Sequence, residues 1–275
     1  MNKNDILDYV MNTPGNTNRA VLSSMLNSME GSGSGGESTP DGPTFNDGKT
    51  RLFVTVASID RPVIAIYFGC TVVGGVTIDW GDGSETEVTT STERTRYSHS
   101  YSAAGDYIIT LEVTDGELTL EGAGSGNSFF GIMTQKYDNP EPPYSFPYVI
   151  AALKRVEIGN SITSIGNGAF MYCSALTSVV IPSSVTSIGN YAFGSCFALT
   201  SVAIPSSVTS IGDGAFNNCL SLGGIHILSS TPPTLPSGSF SSIPKDCKIY
   251  IPAGSLEAYS TATNWSSYAS MMVEE

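Results

Sequence analysis

The sequence predicts a mainly β protein built in series: a short N-terminal helical segment, a β-sandwich, and then a stacked solenoid. Three observations carry that prediction. Blocks of 23 residues recur from Leu153, Leu176 and Leu199. Short β-branched runs separated by turn residues fill residues 49–121. An apolar stripe at helical spacing lies near the N-terminus, ahead of a tract rich in Gly and Ser.

Residues 1–30 read as two short helices. NDILDYVMN supplies Leu7 and Val10, Pro14-Gly15-Asn16 breaks it, and TNRAVLSSMLNSME comes next with Thr17 or Asn18 as N-cap. Leu22, Met25, Leu26 and Met29 fall at i, i+3, i+4 and i+7, which makes one apolar stripe. A helix this short does not hold itself together in water without a partner. The expectation is therefore an anchor that docks or oligomerises through Leu7, Val10, Leu22, Met25, Leu26 and Met29. Residues 31–48, around GSGSGGESTPDGP, read as a flexible linker.

Within residues 49–121 the runs RLFVTVAS, VIAIYFGC, GVTIDWGDGS, RYSHSY and GDYIITLEV have strand composition, and their spacing suggests a sandwich. Residues 122–152 form a bridge rich in Gly, Pro and aromatics. Phe129, Phe130, Tyr144, Phe146 and Tyr148 are expected to cap the first coil of the solenoid.

Residues 153–252 carry the repeat, L-x-x-V-x-I and then V/I-x-x-I-G-x-x-A-F-x-x-C. A fixed period of this length means coils that stack. In the second block the apolar positions are Leu176, Val179, Ile181, Val185, Ile188, Ala192, Phe193 and Cys196. Pro182 and Pro205 end their strands, since proline donates nothing to a ladder. Gly166, Gly189 and Gly212 mark the place where the chain turns, and Ala-Phe then opens a helical or 3₁₀ turn. One coil alone leaves its apolar face wet, whereas stacked coils share a core in which each large side chain contributes about 1.5–3 kcal/mol. STPPTLPSGSF interrupts the pattern, CKIYIPAG supplies a last strand, and SLEAYSTATNWSSYAS in residues 253–275 is expected to close the stack as one terminal helix carrying Trp265.

On these residues the repeat resembles the BspA-like, or Treponema-type, leucine-rich repeats. That resemblance implies a solenoid that binds host molecules or other cells, as members of this family of bacterial surface proteins do. Ile78-Asp79-Trp80-Gly81-Asp82-Gly83, then His99-Ser100-Tyr101, then Gly105-Asp106-Tyr107 with ITLEV, resemble the PKD family of immunoglobulin-like domains. The resemblance implies an Ig-like sandwich with Trp80 in its core, Tyr101 or Tyr107 as a corner tyrosine, and a spacer or adhesive role. YVMNTPGNTNRAVLSSML is similar to N-terminal segments of bacteriophage fibre and tail-region proteins.

Composition narrows the chemistry. The 275-residue chain has a formal net charge of −13, which disfavours nucleic acid and anionic membranes as partners. Residues 1–121 hold 7 basic and 17 acidic side chains and the remainder only 5 and 8, so the repeat half would associate through shape, hydroxyls and aromatics. No apolar run reaches the roughly 18 residues that span a bilayer, so membrane insertion is not expected. The N-terminus lacks the apolar core of a signal peptide.

Of five cysteines, Cys173, Cys196 and Cys219 recur at the repeat period and are expected to stack as buried fillers, while Cys70 and Cys247 stand alone. Such a file is linear and does not form the convergent cage that zinc needs. His99 is expected to make a structural hydrogen bond and His226 to be exposed. Asp79, Asp82, Glu85 and Glu87 read first as turn residues, with calcium as the less favoured use. No base sits beside a nucleophile, so the protein is not expected to be an enzyme, and neither cofactor nor metal is implied.

Positions that differ between coils are expected at the surface: Asn167, Asn190 and Asp213; Gly168, Tyr191 and Gly214; Tyr172, Ser195 and Asn218. From these coils, Tyr172, Asn190, Tyr191, Asn217 and Asn218 are the candidate binding residues. The function expected from the whole chain is a non-enzymatic surface protein of a bacteriophage particle, either head fibre or decoration protein or tail fibre. It would dock on capsid or tail proteins through residues 1–30, form a homo-oligomer such as a trimer, and bind a bacterial surface glycan or protein. The alternative is a BspA-like adhesin on the bacterial cell surface.

Overall fold

The computed structural model describes residues 38–39, 42–43, 45, 47–56, 63–70, 75–89, 95–113, 118–120, 133–134 and 153–275. The expected helical anchor, with Leu7, Val10, Leu22, Met25, Leu26 and Met29, lies outside the described residues, as do the bridge aromatics from Phe129 to Tyr148. Inside the segment read as a linker, β1 (Ser38–Thr39) pairs antiparallel with β2 (Gly42–Pro43).

The first unit is antiparallel. One sheet contains β3 (Thr50–Val56), β8 (Gly105–Val113), β5 (Val76–Asp79) and β6 (Glu87–Thr89), paired in that order. The other contains β4 (Val63–Cys70) between β7 (Thr95–Ser100) and β10 (Met133–Thr134), with β9 (Leu118–Thr119) against the end of β4. Alternating residues of both sheets enter one core: Leu52, Val54, Ile78, Ile109 and Leu111 from the first, Ile64, Ile66 and Tyr97 from the second. This is the period-2 pattern of strands that each bury one face.

The second unit is the solenoid. Its coils place β11 (Leu153–Glu157), β13 (Ser178–Val180), β15 (Ser201–Ile204), β17 (Gly224–Ile227) and β18 (Lys248–Ile251) along one side. The two-residue strands β12 (Ser164–Ile165), β14 (Ser187–Ile188) and β16 (Ser210–Ile211) line another. Equivalent residues pair in parallel, as in Val156 with Val179 and Ile188 with Ile211, so each apolar position forms a file through the stack. Phe170, Phe193, Phe216 and Phe240 stack with centroids 5.2–5.6 Å apart. The glycine file has a different cause from the turn expected of it. Neither Gly189 nor Gly212 takes a positive φ, yet a Cβ at Gly189 would lie 2.6 Å from Asn167 N and Gly166 C. The file lets adjacent coils approach, and it does so without needing glycine's dihedral freedom.

Two junctions depart from the sequence reading. β11 pairs antiparallel with β3, so one six-stranded sheet runs from the first unit into the solenoid in the order β13-β11-β3-β8-β5-β6. Leu120 also bridges Ile165, its carbonyl accepting from Gly166 N at 2.6 Å. At the other end, the single helix expected is two short ones, α1 (Leu256–Thr261) and a 3₁₀ helix (Trp265–Met271), after which β19 (Met272–Glu274) runs parallel to β18. The break falls where Asn264 turns left-handed (φ 65°) and its Nδ2 donates to Leu235 O at 2.7 Å. Trp265 Nε1 donates to Pro233 O at 2.7 Å, and its ring stands 5.9 Å from Phe240, extending the aromatic file into the cap.

Candidate functional site

The parallel strands of the solenoid bury both faces. Val179, Val202 and Ile225 point into the core, and Ser178, Val180, Ser201, Ala203 and His226 on the other face are buried as well. Such runs suit parallel strands covered on two sides. The accessible variation therefore lies on the turn edge of the coils, where the candidate binding residues sit.

This edge is a relay of tight turns. Met171 N donates to Gly168 O at 3.1 Å and Cys173 N to Phe170 O at 3.1 Å, both i to i−3. The alternate N–H groups of Gly168, Phe170 and Tyr172 donate to Asn190 O, Ala192 O and Gly194 O of the next coil, at 2.7–2.8 Å. Asn167 Oδ1 accepts from Asn190 N and Asn190 Oδ1 from Asp213 N, both at 2.7 Å, which gives a side-chain ladder between coils.

Two positions per coil are left-handed. One holds Gly168, Tyr191 and Gly214, at φ 62°, 53° and 63°. The other holds Tyr172, Ser195, Asn218 and Ser242, at φ 59–63°. Residues with a Cβ enter this region at a cost.

Among the candidates, Asn190 and Tyr191 are exposed, Tyr191 to 42 %. Tyr172, Asn217 and Asn218 are half-buried, and Asn217 Nδ2 donates to Ser241 O at 3.4 Å. All five lie on the same edge. The wider expectation that variable positions are exposed is corrected at Gly168, Gly214 and Ser195, which are buried under neighbouring coils. Their variation follows the left-handed backbone rather than solvent. The sequence reading passed over Phe197 and Leu220, exposed to 42 % and 58 % at equivalent places one coil apart. Their signal was a large apolar residue directly after the periodic cysteine.

The histidines, the carboxylates of the WGDG turn and the periodic thiols are drawn into structure. His99 Nε2 lies 2.7 Å from Asp82 Oδ2, and its ring stacks on Trp80 at 5.3 Å. Tyr101 donates its hydroxyl to Trp80 O at 2.9 Å, and Tyr107 donates to Ala103 O at 2.9 Å. Asp79 and Asp82 accept from Gly81 N and Ser84 N, the backbone service expected of the WGDG turn. No group of three or more His, Cys, Asp or Glu gathers to hold a metal among the described residues. The expectation for His226 is corrected: it is 3 % exposed, stacked on Tyr250 at 4.4 Å, with Nδ1 2.9 Å from Glu275 Oε1. Burial pushes the thiols of Cys173, Cys196, Cys219 and Cys247 up, the last two to about 12. No helix among the described residues is long and apolar enough to cross a membrane.

Residues 142–267 match the family model of the BspA type leucine rich repeat region, in 6 copies, three more than the strict 23-residue period marks. The chain thus carries BspA-type leucine-rich repeats. Among solved structures it is similar to a leucine rich cell surface protein from Faecalibacterium prausnitzii A2-165, at 32 % identity and a TM-score of 0.38 over 41 % of this chain and 29 % of that one. It is also similar to a leucine-rich repeat protein from Bacteroides ovatus ATCC 8483, at 20 % identity and a TM-score of 0.21 over 36 % of this chain and 45 % of that one. The similarity thus spans less than half the length of either protein. No curated protein matches the chain.

Proposed function

We propose that the protein is a non-enzymatic adhesin of the BspA-like type, displayed at a bacterial cell surface and binding through the turn edge of its solenoid. One observation carries this reading. Both histidines and the four described thiols are tied into packing and hydrogen bonds, whereas the edge bearing Asn190 and Tyr191 is open to solvent. Repeats of this type build surface, and a weak site on a displayed surface gains strength through many copies. The first unit, read as a PKD-like Ig domain, would act as a spacer.

Locating the native protein tests the proposal. In a culture of the producing organism, antibody against the solenoid is expected to label intact cells, and purified protein is expected to bind target cells saturably. Recovery of the protein on banded phage particles, with none on cells, would overturn it. That outcome would favour the virion reading, in which residues 1–30, fibre-like in sequence over residues 9–26, dock on capsid or tail proteins.

A further inference from the structure

The geometry points to Tyr191 as a stacking platform for a neutral saccharide ring, flanked by the side-chain ladder of Asn167, Asn190 and Asp213. This inference rests on the proposed binding role of the turn edge and names the ligand class for it.

Tyr191 occupies a position that the neighbouring coils give to glycine. Gly168 and Gly214 take the same left-handed backbone at φ 62° and 63°, and Tyr191 sits at 53°. Tyrosine is poorly suited to that region, so the fold bears strain at this residue. The ring is not used to fill the core, since Tyr191 is 42 % exposed. Its inner side lies over the bare α-carbon of Gly214, where a Cβ would run into Cε1, Cδ1 and Cζ of the ring. The ring is thus held against backbone on one side and open on the other, which fixes its orientation before any ligand arrives.

The polar surroundings select the class of ligand. Asn167 and Asn190, both exposed, each spend Oδ1 on the next coil's N–H, at 2.7 Å, and those bonds leave the Nδ2 group of each to donate elsewhere. The exposed carboxylate of Asp213 is an acceptor one coil further on. A row of two amide donors and one carboxylate, at the spacing of adjacent strands beside an aromatic face, matches the hydroxyls and apolar C–H face of a hexose. It offers no cation to an anionic ligand.

The test uses the full chain and three neutral probes, chitotriose, cellotriose and mannotriose, monitored by saturation-transfer NMR. At least one is expected to receive saturation at millimolar concentration. Tyr191→Phe should bind as wild type does, because the ring and not the hydroxyl is used. Tyr191→Ala should weaken binding roughly tenfold, worth about 1.4 kcal/mol. Tyr191→Gly should weaken binding as much as Tyr191→Ala does while melting no lower than wild type, since glycine suits this backbone. No transfer to any of the three, or equal binding by Tyr191→Gly and wild type, would overturn the platform. If the protein fails to adhere to cells yet binds a probe through Tyr191, the adhesin reading falls and the platform stands. If it adheres equally well with Tyr191→Gly and no probe binds, the reverse holds.

Discussion

Cys196 stands between Cys173 and Cys219 in the buried file, its thiol donating to Phe170 O at 3.2 Å, and Cys219 repeats the contact to Phe193 O at 3.2 Å. Thiols with pKa values raised by burial stay protonated and unreactive at neutral pH. Iodoacetamide at pH 8 should therefore leave Cys173, Cys196, Cys219 and Cys247 unmodified in native protein and label all four in urea. Mass spectrometry checks this, and native labelling of Cys196 would contradict the stack. Asp82 shows the opposite shift. Hydrogen bonds from Ser84, then from His99, hold its carboxyl down from 3.8 to about 2. The folded value lies below the unfolded one, so protons favour the unfolded chain as pH falls. The contribution is complete above about pH 4 and is lost toward about pH 2. Over that window the melting temperature of wild type should drop more steeply than that of Asp82→Asn, and parallel curves would remove the effect. The two histidines show how far single residues could be read. His99 was legible as a structural hydrogen-bonding residue from its place two residues before Tyr101, with its partner Asp82 only 17 residues away, whereas His226 is buried by Tyr250 and by Glu275, and the latter is 49 residues away.

At the scale of the coil, the period was legible because each apolar residue must meet its own counterpart one coil on, and the need for like to sit on like writes the repeat into the sequence. Phe193 lies 5.3 Å from Phe170 and 5.2 Å from Phe216, so Phe193→Ala leaves a cavity touching three coils. Its expected cost is about 3–5 kcal/mol, read by urea unfolding. Gly189→Ala adds a methyl against the backbone of the preceding coil and should cost about 1–3 kcal/mol in the same assay. A loss below about 0.5 kcal/mol at Gly189 would show that the coils separate easily. The left-handed positions were less legible. Tyr172, Ser195 and Asn218 share one backbone conformation but no side-chain chemistry, so their variety read as surface exposure. The conformation is imposed by the turn, and the side chain has little say in it. The last coil hid for a related reason: STPPTLPSGSF changes the residues between Ile227 and Phe240, yet Thr234 still bridges Ser210 and Phe240 still stacks on Phe216.

At the scale of the molecule, the two units are not beads on a string. A solenoid exposes an unpaired strand and an open core at each end unless something covers them. At the C-terminal end, α1, the 3₁₀ helix and β19 do so. At the N-terminal end, β3 pairs with β11 along Leu52–Val156, Arg51–Glu157 and Phe53–Arg155. Asn160 N donates to Gly48 O at 3.0 Å and Gly159 N to Thr50 Oγ1 at 3.0 Å. The charges at this seam are paired: Arg155 with Glu157, both buried, and Arg51 with Asp47, with Arg155 lying 4.9 Å over Phe53 and Arg51 4.2 Å over Phe45. None of this was legible in sequence, because a strand that pairs within its own sheet and one that also caps a neighbour share the same alternation; only the partner differs. The seam makes a definite demand. A fragment of residues 153–275 retains every coil from β11 onward but loses β3, Leu120 and the partners of the seam, leaving β11 with an open edge and Glu157 without Phe45 N. It should unfold at lower urea than the full chain, with a broadened transition, and should self-associate at micromolar concentration in sedimentation. If the solenoid alone were monomeric and equally stable, β3 would be a neighbour and not a cap, and the first unit would be free to pivot on the repeats it precedes.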